Sequence, residues 1–170
     1  MVPSTDLLKP NAAGDRSGSP IAITNNGNTV AIGAQRNDGN GEDSGHVRIF
    51  DWNIIAWDQR GQDIGGEATG DFSGKAVSLS NGGNTVAIGA YFNEDNGNNS
   101  GHVRIYAWNG SAWLQKGVDI DGEERRDQSG TSVSLSNDGN TVAIGAPYND
   151  GNDYDSGHVR IYDWILTLRI

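Results

Sequence analysis

The sequence predicts an all-β fold made of three copies of one four-stranded antiparallel sheet, and three observations predict it. The chain of 170 residues repeats itself with a period of 56 residues. Its composition, with 25 Gly, many Asn and Asp and 35% hydrophobic residues, weakens helices and favours tight turns. Its apolar residues alternate with a period of two in short runs bounded by turn residues, which is the signature of strands.

Three markers carry the repeat. Ala-Ile-Gly-Ala begins at Ala31, Ala87 and Ala143, Gly-His-Val-Arg-Ile at Gly45, Gly101 and Gly157, and Asp-x-Ser-Gly at Asp15, Asp71 and Asp127. Aligning Asp71 to Trp108 with Asp127 to Trp164 gives 26 identities in 38 positions without a gap. The period therefore divides the chain into a single repeat domain of three units, about 9–64, 65–120 and 121–170.

The strands of one unit follow in order. In the third copy Val133 to Ser136 is the first, followed by the turn Asn137-Asp138-Gly139-Asn140, whose Asp-Gly pair accepts positive φ. Thr141 to Ala146 is the second strand. A polar loop from Tyr148 to Ser156 leads to the third, Gly157 to Trp164. In the second copy Asn109-Gly110 turns into a fourth strand, Ala112 to Lys116, running on to Ile120.

The second strand decides how the sheets pack. Val142 and Ile144 lie on one face and Ala143 and Gly145 on the other, so neither face is polar. A strand with bulky groups on one side and small ones on the other suits burial between two sheets, as in blades stacked around a propeller axis. Threefold repetition also occurs in trefoils and prisms, whose strands usually show one face to water.

The run Ser-Gly-Thr-Ser-Val-Ser-Leu-Ser from Ser129, then Asn-Asp-Gly-Asn, Val-Ala-Ile-Gly-Ala-Pro from Val142 and Ser-Gly-His-Val-Arg-Ile-Tyr from Ser156, resembles the FG-GAP repeat of integrin-type β-propellers. The resemblance implies propeller blades and an extracellular or cell-surface setting. There are departures. Ser17, Ser73 and Ser129 stand where the family has Phe, and Pro147 is the one Pro after Gly-Ala. The family's calcium run would fall between the first two strands, where this chain has a short turn, so that ion site is not expected.

Three blades do not close a ring. Residues 1–8 fall in the register of the fourth strand, and they are expected to supply the outer strand of the third blade or of a partner's blade. Two chains would complete a ring of six blades, so a homodimer is expected.

The formal net charge of -10 and pI near 4.5 argue against a nucleic-acid partner, because phosphate binding needs a basic footprint. The chain has no Cys, so disulfides and thiolate chemistry are not available to it. It carries no 18-residue apolar run, and membrane insertion is not expected.

Acidic loops are the strongest chemical signal. Asp38 and Asp43 in the first copy, Asp95 in the second, and Asp150, Asn152, Asp153 and Asp155 in the third are candidate calcium ligands, because flexible loops rich in oxygen supply such ions. The same residues are also good loop formers through bonds to their own backbone.

His46, His102 and His158 occupy one place in three blades, which reads as packing beside Arg48, Arg104 and Arg160. Asp15, Asp71 and Asp127 read as turn-fixing residues. Trp52, Trp57, Trp108, Trp113 and Trp164 suit packing between blades, or stacking on sugars if exposed. Residues capable of chemistry follow the repeat, and no hydrolase, zinc-protease or phosphate-loop motif occurs. The expected function is a non-enzymatic binding or adhesion module for a protein partner. A lectin with one glycan site per blade and a structural subunit of a larger assembly are the alternatives.

Overall fold

A computed structural model describes Leu8 and residues 12–164. The described residues form thirteen strands and no helix. The first sheet holds β1 (Ile21–Ile23), β2 (Thr29–Ala34), β3 (His46–Trp52), β4 (Trp57–Gln59) and β5 (Ile64–Gly65). The second holds β6 (Ala76–Leu79), β7 (Thr85–Ala90), β8 (His102–Trp108), β9 (Trp113–Gln115) and β10 (Ile120–Asp121). The third holds β11 (Ser132–Leu135), β12 (Thr141–Ala146) and β13 (His158–Asp163).

Each sheet is an antiparallel meander in sequence order, and the register repeats with the sequence: Val30 faces Phe50, Val86 faces Tyr106 and Val142 faces Tyr162. These are propeller blades. The fourth strand is not continuous as expected. Gln115 pairs with Tyr106 and Ile120 with Val103, so four residues of the outer strand lie opposite two of β8, and a bulge splits it into β9 and β10. Gly117, at φ +84, makes the bend, and the amide of Lys116 donates to the carbonyl of Ile105 at 2.7 Å beside it. The first blade breaks between β4 and β5 in the same way.

The third blade shows three strands among the described residues. The outer strand expected from residues 1–8 lies outside them, Leu8 excepted. Leu8 packs on the first blade, against the cluster of Val30, Ile32 and Phe50.

The two faces of each blade do different work. Ala31, Val47, Ile49 and Ile64 of the first blade pack against Val77, Val86, Ile88 and Trp113 of the second. In the same way Ala87, Val103 and Ile105 of the second meet Val133, Val142 and Ile144 of the third. A small-residue face against a bulky one lets the sheets come close. A Cβ on Gly89 would lie 2.0 Å from the carbonyl oxygen of Gly130, and one on Gly33 would lie 2.3 Å from that of Gly74.

The expectation that both faces of the second strand are hidden holds for β2 and β7, which are buried throughout. It fails for β12, where Val142, Ile144 and Ala146 are buried while Thr141, Ala143 and Gly145 are half-exposed. The cause is that no sheet follows the third one among the described residues.

Candidate functional site

The turn before each blade is built alike. One carboxylate oxygen of Asp15, Asp71 and Asp127 accepts the amide of Ala12, Ala68 and Glu124 at 2.9, 3.0 and 3.0 Å. The same oxygen accepts the side-chain amide of Asn37, Asn93 and Asn149 at 3.2, 3.4 and 2.9 Å. All three Asp are buried, and they fix the turn as the repeat implied.

The acidic loops mostly bind their own backbone. Asp38 accepts the amide of Asp43 at 2.8 Å, Asp150 accepts that of Asp155 at 2.7 Å, and Asp153 that of Tyr154 at 2.8 Å. Asp43 also pairs with Arg36 at 3.3 Å. Asn152 lies exposed beside them. Of the seven candidate calcium ligands, Asp95 alone joins a cluster of three or more His and acidic side chains among the described residues.

That cluster is Glu67, Asp95, His102 and Asp119, with one ligand atom of each within 4.8 Å of the others. It sits where the first blade meets the second. Glu67 follows β5, Asp95 lies in the loop between β7 and β8, His102 opens β8, and Asp119 lies in the bulge before β10. The Nδ1 of His102 is 3.9 Å from Glu67 Oε2 and 3.8 Å from Asp119 Oδ2. His102 is fully buried, and both ring nitrogens lack a hydrogen-bond partner among the described residues. Leaving a buried polar group unmet costs about 1–3 kcal/mol.

Burial pushes the His102 pKa below its ordinary 6.5, and the Arg104 guanidinium adds to this while Asp119, Asp71 and Asp121 oppose it. The ring is therefore neutral at neutral pH. Burial raises the Glu67 pKa, with Arg104 opposing and Asp119, Asp95 and Asp71 adding to the rise.

Sequence reasoning placed His102 correctly beside Arg104 as a buried ring but missed Glu67 and Asp119, which come from the end of one blade and the bulge of the next. A signal existed. Asp95 stands where the other copies have Gly39 and Gly151, so here a ligand-type residue breaks the repeat. The junction of the second and third blades brings Glu123 to 3.8 Å from His158 but has Gly151 in that place.

Trp108, Trp113 and Trp164 form the outer seam between blades, while Trp52 and Trp57 pack on each other within the first. Trp108 and Trp113 pack with tilted rings, their centres 5.4 Å apart, and Arg60 of the preceding blade lies 5.3 Å above Trp108. Lys116 lies 5.0 Å above Trp164 in the same way. A Cβ on Gly61 would come within 2.6 Å of Trp108, and one on Gly117 within 2.6 Å of Trp164. This is the packing arrangement that the spacing favoured.

A chain of Kuenenia stuttgartiensis hydrazine synthase has a similar structure, with TM-score 0.52 and 11% identity over 92% of this chain. This chain spans 36% of that one, and at such identity the likeness shows fold alone. No curated protein matches this sequence. The model of the FG-GAP repeat matches residues 65–106 and 115–162, more than half of the chain. With those matches lying on the blades and seams just described, the chain belongs to the FG-GAP repeat family.

Proposed function

We propose that this chain is a non-enzymatic binding module of the adhesion kind, which joins a second copy of itself through its third blade and offers the loop rim to a protein partner. One observation carries the reading. Val159 and Ile161 of β13 are each 68% exposed, whereas Val47 and Ile49, at the same place in the first blade, are 0% exposed because the next blade covers them. The third blade thus displays the surface with which this chain binds a following blade.

A six-bladed ring from two chains lies within the range of propeller sizes. The bulky side of the first blade is its complement, and there Ile21 and Ile23 are exposed. Family membership supports an extracellular or cell-surface setting for such a module. Covering a Val or Ile side chain contributes roughly 1.5–3 kcal/mol, so burying two or more of them on each of two symmetric contacts is a strong drive to associate.

Sedimentation of the 170-residue chain at micromolar concentration tests it. The expected mass is twice that of one chain, falling to one chain in Ile161→Asp. A wild-type mass of one chain overturns the reading.

A further inference from the structure

We infer that Glu67, Asp95, His102 and Asp119 form a site for a divalent transition-metal ion, zinc(II) being the best match, at the junction of the first two blades. The inference stands on the cluster itself and on the unmet ring nitrogen that faces it.

Glu67 and Asp119 are each held in place by one oxygen and turn the other toward the imidazole, and Asp95 is anchored from its own loop. Glu67 Oε1 takes the Arg104 guanidinium at 3.2 Å while Oε2 faces the imidazole. Asp119 Oδ1 takes the side-chain amide of Gln115 while Oδ2 faces the same nitrogen. Asp95 Oδ2 accepts from Asn93 at 3.3 Å, and Asn93 is itself tied to the buried Asp71. Outer contacts that orient ligands in this way are the usual support of metal sites.

The spacing also fits. At 3.8 and 3.9 Å the imidazole nitrogen is too far from the carboxylate oxygens for a hydrogen bond. Ligands about 2.0–2.2 Å from a tetrahedral zinc ion lie about 3.4 Å from one another, so a small contraction of this cluster seats the ion. A single imidazole with carboxylates suits zinc or its first-row neighbours, whereas calcium takes six to eight oxygens. The ion would also relieve the repulsion of Asp95 and Asp119 on Glu67, which the Arg104 guanidinium offsets.

Among the described residues the first and third blades do not repeat the set. In the first blade the pocket around His46 and Asp63 is lined by Gly39 where the second has Asp95, and in the third Gly151 takes that position. The same two glycines make Asp95→Gly a substitution that this backbone accommodates.

Titration calorimetry of zinc(II) chloride into the metal-free full chain tests the inference, with calcium chloride as the comparison. One zinc ion per chain is expected, with calcium weaker, and affinity at least about tenfold lower in Asp95→Gly and in Asp119→Asn. Thermal melting without metal checks that each variant is folded. An absence of saturable zinc binding, tighter binding of calcium, or zinc binding unchanged in both variants overturns it. Because the count is made per chain, it is independent of whether two chains associate.

Discussion

His46 shows how a repeated residue becomes a pH sensor through its surroundings. Burial lowers its pKa from 6.5, Asp63 pushes it back up, Arg48 lowers it and Asp15 raises it, with a net fall. The contact with Asp63 Oδ2 is 3.5 Å from Nδ1. A base whose folded pKa is depressed takes up its proton more readily when unfolded. Its contribution to stability is therefore full above pH of about 6.5 and is lost as pH falls through the window down to the folded value. His102 acts in the same direction, whereas Glu67, raised by burial, is relieved as pH falls and opposes them. Urea midpoints measured at pH 7.5 and 5.5 are expected to fall on acidification, and less so in His46→Gln. An equal fall in wild type and variant would show that this histidine is not the source.

At this scale the sequence disclosed some roles and concealed others for a physical reason. Asp71 and Asp127 precede Ser-Gly in a local turn, and a turn-fixing bond is a property of neighbours in sequence. The convergence of Glu67, Asp95, His102 and Asp119 is a property of two blades in contact, and no spacing along one strand reports it.

Among the elements, the second strand of each blade is the most demanding. β7 is buried on both faces, and its small side must pass within contact of the Gly130 backbone. Gly89→Ala would place a Cβ 2.0 Å from the Gly130 carbonyl, where a backbone atom cannot retreat without moving the third blade. A loss of about 1–3 kcal/mol is expected, as for other overpacked cores. Gly145→Ala is the control, because its nearest neighbour is the Ser132 hydroxyl on a face that no further blade covers among the described residues. Denaturant titration of both variants checks the contrast, and equal losses would mean that the cost is one of strand conformation rather than of blade contact.

Alternation and turn chemistry located the first three strands of each blade. From sequence the outer strand runs on from Ala112 to Ile120, although Gly117 lies within it. Its bulge depends on where Ile120 must sit opposite Val103, which is a requirement of cross-strand pairing.

For the whole molecule, the repeat implied that neighbours hide both sides of every blade, and that logic makes the third blade the exception. Val159 and Ile161 are exposed because their neighbour is missing among the described residues, not because their chemistry differs from that of Val103 and Ile105. If a second copy is that neighbour, folding stability must depend on concentration, since association favours the folded state by mass action. The urea midpoint of the single chain is then expected to rise between 1 and 100 micromolar protein. Joining two copies through a flexible linker makes the contact intramolecular, so the tandem chain is expected to show a midpoint that is higher than that of the dilute single chain and independent of concentration. A single-chain midpoint that stays fixed across the same range would mean that three blades stand without a partner. The exposed face would then be a surface tolerated at the end of a stack rather than one waiting for the next blade.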